Sequence, residues 1–143
     1  MIDVRPCMPE DAAAVTALLG QLGYEVSLEA AVERLRRLME TGSDATFIGV
    51  DDVRPLGLIA LHRCHMIQYR APVARITALV VDQWARRRGI GRLLIDHALR
   101  WAEESGCDFV ELTSALSRPE AHAFYRDLGF EASSLRFRKV LAS

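Results

Sequence analysis

Val80-Val81-Asp82-Gln83-Trp84-Ala85-Arg86-Arg87-Arg88-Gly89-Ile90-Gly91 is the stretch on which the reading of this chain turns. An apolar, β-branched segment passes through a basic turn into helical periodicity. Ile90, Leu93, Leu94, His97, Ala98 and Trp101 recur at spacings of three and four up to Glu104, before Gly106. A buried strand entering a helix in this way forms an anion cradle, because the first N–H groups of the helix lack intrahelical partners and stand at the positive end of its dipole. Gly89 and Gly91 let the backbone approach a diphosphate closely, and Arg86, Arg87, Arg88 and Arg92 add positive charge around it. Two better-known phosphate loops fail on spacing: G-x-x-x-x-G-K-[ST] is absent, and G-x-G-x-x-G needs glycine where Leu94 stands. Taken alone, the stretch also reads as a solvated basic turn whose glycines relieve crowding.

Upstream of this junction, Val73 to Asp82 is rich in β-branched residues and reads as a central strand. Before it, 46–50 and 56–61 are apolar runs too short for helices, and Asp51-Asp52-Val53-Arg54-Pro55 between them is turn chemistry, which makes an antiparallel hairpin. The polar stretch from His62 to Arg70 reads as a loop. Nearer the N-terminus, Ile2 to Arg5 alternates as a short strand. A helix from Asp11 carries Ala14, Val15, Leu18, Leu19 and Leu22 on one stripe, and a second begins at the cap Ser27 and stops at Gly42. Downstream, Phe109 to Thr113 reads as a strand and Pro119 to Leu128 as a helix closed by Gly129. Phe130 and Leu135 to Leu141 read as final strands. The order is β-α-α-β-β-β-α-β-α-β-β, an α/β (α+β) chain.

Composition narrows the function. The chain has 143 residues, 50% of them hydrophobic, and no window that looks like a linker, so one domain over residues 1–143 is expected. With 18 Lys+Arg against 19 Asp+Glu, the net charge of −1 excludes the broad positive field of a dedicated nucleic-acid binder; any basic site is local. Three cysteines without C-x-x-C argue against a disulfide framework or zinc ribbon and point to the cytoplasm. His62-x-x-His65 around Cys64 has no third and fourth ligand at matching spacing, so no metal is expected. The sequence also shows no secretory pattern and no stretch long enough to cross a bilayer, so no membrane partner is expected.

About thirty residues after the cradle comes Arg118-Pro119-Glu120-Ala121-His122-Ala123-Phe124-Tyr125-Arg126-Asp127-Leu128-Gly129-Phe130. Together, Arg86-x-x-Gly89-x-Gly91 and Ala121-x-x-Phe124-Tyr125-x-x-x-Gly129-Phe130 resemble the GCN5-related N-acetyltransferase (GNAT) family. The resemblance spans essentially the whole chain. It implies a mixed, mostly antiparallel sheet whose central strands, near 77–81 and 109–113, splay to admit acetyl-CoA as donor. It implies that the amides from Arg87 through Gly89, Ile90 and Gly91 to Arg92 hold the pyrophosphate. It also implies that Leu79, Val80 and Val81 border the pantetheine, with the backbones of Leu79 and Val81 pairing to it, and that Tyr125 lies near the thioester sulfur. A homodimer is a further implication of the family.

The reaction so implied is acetyl transfer to a primary amine, expected to be that of a small molecule, by direct attack on the thioester. An amine with a pKa of about 10.4 is neutral only about once in a few thousand molecules at pH 7, so a base or water path is required. Many relatives have glutamate on the central strand where this chain reads Ile76-Thr77-Ala78-Leu79, and Thr77 is no base at neutral pH. Glu111 on the neighbouring strand is the nearest carboxylate; His62, His65 and a water relay are the other candidates. Arg118 stands where many relatives have asparagine. The alternative reading is a non-catalytic acyl-CoA-binding or regulatory domain. The acceptor pocket is expected to be bordered by 21–24 and 62–72, loops too variable in kind to name the acceptor.

Overall fold

The computed structural model describes residues 1–114 and 117–142. The chain divides into two compact units, Met1–Leu112 and Thr113–Ser143. The first unit contains β1 (Ile2–Pro6), α1 (Ala12–Gln21), α2 (Leu28–Glu40), β2 (Asp44–Asp51), β3 (Arg54–Cys64), β4 (Val73–Val81), α3 (Ile90–Glu104) and β5 (Val110–Leu112). Its sheet has the order β1-β2-β3-β4-β5, antiparallel throughout except for the parallel β4–β5 pair. The expected order of elements therefore holds from β1 to α4 (Pro119–Asp127), which lies in the second unit.

Local chemistry explains the boundaries. Ser27 Oγ accepts the Ala30 N–H at 3.1 Å and starts α2, as expected of a cap. The β2–β3 turn places Asp52 at φ 53°, a left-handed position that aspartate tolerates better than most residues. On one face of the sheet, the in-register trio Ile48, Leu58 and Val80 packs with Val15 and Leu18 of α1 and Ala31 and Leu35 of α2. On the other face α3 comes so close that Gly57 has no room for a side chain: a Cβ there would stand 2.9 Å from Val80 O and 3.0 Å from Leu94 Cδ1.

Between β1 and α1, Arg5 donates two 2.8 Å hydrogen bonds to Asp11, which also accepts the Met8 N–H at 2.8 Å. The Arg5 guanidinium holds the Asp11 carboxyl below its ordinary range. A depressed carboxylate stabilises the fold fully above its unfolded pKa, about 3.9, and loses that contribution as pH falls through the lower native value. Asp11→Asn should therefore cost about 1–2 kcal/mol at pH 7, in line with hydrogen bonds to charged groups. Urea titrations at pH 7 and near pH 2 check this, the gap between variant and wild type closing at the lower pH.

Two expectations are corrected. No described residue from 130 to 142 pairs in a sheet, so the strands expected at Phe130 and at Leu135 to Leu141 do not form. Leu135, Phe137, Val140 and Leu141 are exposed. Alternation supplies a preference for extended backbone, but a strand is stabilised by ladder bonds and a covered face, and this segment has neither. Second, His62 is not in a loop: β3 continues to Cys64, because its partners on β2 and β4 extend the ladder to Asp44 and Val73. No helix among the described residues is long and apolar enough to cross a membrane.

In the second unit, α4 begins at Pro119. It ends where Gly129, at φ +92°, donates to Arg126 O at 3.0 Å and Phe130 donates to Tyr125 O at 3.0 Å.

Candidate active site

The basic turn departs from β4 through a short 3-10 turn, Gln83–Ala85. Gln21, at the end of α1, secures it from both sides, donating to Asp82 Oδ1 at 2.9 Å and accepting the Gln83 N–H at 2.9 Å. Arg87 then takes φ +66° and Gly89 φ +76°. The left-handed Arg87 costs on the order of 1 kcal/mol, strain of the kind that accumulates where backbone geometry serves a ligand. Gly89 caps α3 without any side-chain cap. Among the described residues, no group accepts a hydrogen bond from the N–H of Arg87, Arg88, Gly89, Ile90, Gly91 or Arg92; the first amide satisfied is that of Leu93, bonded to Gly89 O at 3.1 Å. These are the donors a diphosphate needs. Arg88 is tied to Asp51 at 3.3 Å, whereas Arg86, Arg87 and Arg92 are exposed and make no ion pair among the described residues.

Beside this turn runs an open strand edge. β5 pairs with β4 only across Ala74–Ile76, so 77–81 has its sheet partner on the β3 side alone among the described residues. Asp82 N–H donates to Leu56 O at 2.8 Å, toward β3. Backbone groups alternate along a strand, so Val80 also faces β3, while the amides and carbonyls of Leu79 and Val81 face the open edge. Val80 has no free polar group there: its side chain is buried in the core. Where the edge opens, β4 carries an extra residue. Ala60 pairs with Ala78 and Leu61 with Ile76, leaving Thr77 as an exposed bulge whose hydroxyl donates to Ala60 O at 3.2 Å.

Immediately below the bulge, four polar residues are cross-strand neighbours in one row: Asp44 on β2, His62 on β3, Arg75 on β4 and Glu111 on β5. Glu111, the carboxylate singled out in the sequence, is 2.8 Å from Arg75 and thereby ion-paired. Asp44 lies 2.9 Å from His62 Nδ1. Asp44 escaped notice in the sequence. Its signal was only the hairpin, whose register had to be known to place it opposite His62. Gln21, in the segment expected to border the acceptor pocket, anchors the cradle turn.

The remaining candidates separate cleanly. In the second unit, the Tyr125 ring packs edge-on against Phe124 and Phe130, with centroids 5.4 and 5.9 Å apart. Burial pushes its phenol above the ordinary value, against a smaller pull from Arg118, so the hydroxyl keeps its proton at neutral pH. Arg118 stands exposed just before α4. His97 packs edge-on against Phe47, centroids 4.5 Å apart, and burial pushes its pKa down. Cys7 is buried, which pushes its thiol up to about 12, an unreactive core position.

Known proteins are similar to this chain in sequence and in fold. The acetyltransferase (GNAT) family model matches residues 13–130. An uncharacterized N-acetyltransferase of Bacillus subtilis, YhdJ, is 32% identical over 124 residues, 85% of this chain and 86% of that protein. The aminoalkylphosphonate N-acetyltransferase of Salmonella typhimurium is 33% identical over 86 residues, 60% of this chain and 56% of its own. In fold, the chain is similar to an aminoglycoside N-acetyltransferase solved in complex with CoA, with a TM-score of 0.84 and 20% identity over 97% of this chain and 95% of the other.

Proposed function

The chain belongs to the acetyltransferase (GNAT) family and is an N-acetyltransferase, and from that premise we propose that it transfers acetyl from acetyl-CoA to the primary amine of a small molecule. The observation that carries this reading is the run of N–H groups from Arg87 to Arg92, unpartnered among the described residues, beside the open edge at Leu79 and Val81. The run suits a diphosphate, and the edge suits the amide groups of an extended pantetheine, added in the manner of a strand. Arg86 and Arg92 supply screening charge, and the ion pair to Asp51 orients Arg88.

The thioester carries the activated acetyl group; the protein holds, orients and moves protons. A main-chain N–H near the bulge, that of Leu79 in our assignment, donates to the thioester carbonyl as negative charge develops there. Tyr125, assigned by its motif, donates a hydrogen bond from its hydroxyl to the departing thiolate. Its phenol ordinarily lies about 1.5 units above a thiol, and burial raises it further, so the hydroxyl keeps its proton and stabilises the thiolate as a hydrogen-bond donor. A small acceptor is supported by the aminoalkylphosphonate enzyme among the relatives.

Calorimetry with acetyl-CoA and thiol release on a panel of amines test the reading. Heat of binding without thiol release from any amine would reduce the protein to a binder. Tyr125→Phe should lower kcat by about 10–100-fold while acetyl-CoA affinity stays within about twofold, because a hydrogen bond to the departing thiolate acts on the transition state. Equal losses in both would return Tyr125 to a packing role.

A further inference from the structure

We infer that His62, aligned by Asp44, is the general base that takes the proton from the acceptor ammonium, an inference that rests on the acetyl-transfer reading above. Asp44 is mostly buried, with 13% of its side chain exposed, and its two oxygens are divided between partners. Oδ2 accepts the Thr41 hydroxyl at 2.6 Å, and Oδ1 lies 2.9 Å from His62 Nδ1. An ionised carboxylate only accepts hydrogen bonds, so Nδ1 carries the hydrogen and the lone pair of the neutral ring is at Nε2. With 41% of the His62 side chain exposed, Nε2 is open to a substrate. A carboxylate that fixes tautomer and ring orientation, leaving the far nitrogen free, is the arrangement a basic imidazole requires.

Position supports the same role. Leu58, Ala60 and His62 alternate onto the sheet face that α1 and α2 cover further along, and His62 stands next to the Thr77 bulge where the β4–β5 pairing stops. Ile59, the partner of Leu79, is three residues from His62, about 10 Å along the strand. An imidazole together with one hydrogen-bonded water or the arm of the ammonium itself spans that distance. Two competing groups are engaged otherwise, and a third has nothing to orient it. Thr77 donates to Ala60 O, and Glu111 is held by Arg75. His65 is exposed, and its ring makes no hydrogen bond among the described residues. Three charged groups share the row with His62: Asp44 beside it, and Arg75 with Glu111 on the other side. Glu111 offsets the guanidinium charge that would otherwise oppose a cation at Nε2.

The protons balance. Nε2 removes one proton from R–NH3⁺ and passes it to water. The neutral amine attacks the thioester carbon, the C–N bond forms and the C–S bond breaks, and a second proton from nitrogen ends on the thiol. Asp44 is a positioning residue and touches neither reactant.

The test compares wild type, His62→Gln and Asp44→Asn in thiol release with acetyl-CoA and four amines: aminoethylphosphonate, a diamine, an aminoglycoside and free lysine. His62→Gln keeps a donor for Asp44 but has no base. Its kcat should fall about 100-fold on the best amine, with acetyl-CoA affinity within about twofold and the acid limb of the pH–rate profile lost. Asp44→Asn should lose about tenfold and keep an acid limb, displaced. His62→Ala should regain part of its rate with added imidazole, a rescue that a structural role does not provide. Turnover by His62→Gln within about threefold of wild type, or an unchanged profile, overturns the proposal alone. No thiol release from wild type with any of the four overturns the acetyl-transfer reading and this proposal with it.

Discussion

Gly89→Val should weaken acetyl-CoA binding by about 100-fold, or ~2.7 kcal/mol, while the sheet stays folded. Gly89 sits at φ +76°, where a β-branched residue is strained by about 1–3 kcal/mol. Nothing lies within 4 Å of a Cβ at this position, so the requirement is conformational and not a matter of space. The backbone relaxes by rotating φ to negative values, and that swings the first amides of α3 away from a shared focus. Each hydrogen bond from such an amide to a charged oxygen is worth roughly 1.5–3 kcal/mol, so losing alignment of one or two accounts for the fall. Gly89→Asn should stay within about fivefold of wild type, since asparagine visits the left-handed region. Titration calorimetry on both variants, with circular dichroism to confirm the fold, reads the outcome. Wild-type affinity in Gly89→Val would mean that these amides do not grip the diphosphate.

Gly57→Val should lower thermal stability by about 10 °C or more. Its Cβ alone would meet Val80 O at 2.9 Å and Leu94 Cδ1 at 3.0 Å. A leucine methyl can shift, but a carbonyl in the β3–β4 ladder cannot shift without breaking register, and valine adds two further methyls. Overpacking of this type costs about 1–3 kcal/mol or more, and each kcal/mol corresponds to roughly 2–8 °C in a domain of this size range. Gly57 is also the ladder partner of Val81, whose backbone faces the open edge, so acetyl-CoA affinity should fall together with stability. Gly20→Ala is the internal contrast. It lies within α1 with nothing inside 4 Å of its Cβ, and it should gain up to about 1 kcal/mol. A melt in which Gly57→Val matches wild type would mean that β3 and α3 separate easily, against the close packing seen here.

The local features were legible because local spacing encodes them. Of the stripe that announced α3, Ile90, Leu94 and Ala98 are buried, while Leu93 is exposed. Ser27 announced the start of α2 and caps it. The Arg86-to-Gly91 turn announced free helix amides, and among the described residues those amides have no partner. His62 was misplaced into a loop because a polar ending on a strand looks like a turn until its partners are known. The alternation at Leu135 to Leu141 misled in the opposite sense: a strand-like pattern without a partner is not a strand.

The sequence by itself determined the order of elements from β1 to α4, the cradle with its glycines and arginines, and the Phe124-Tyr125 motif, since each depends on residues within a turn or two of one another. Only the tertiary structure decided that Asp44 meets His62, that Arg75 occupies Glu111, and that β4 bulges at Thr77 where its pairing with β5 ends. Those contacts join residues 18 and 36 positions apart through ladder register. Register is set by the packing of whole faces, which no single stretch of sequence contains.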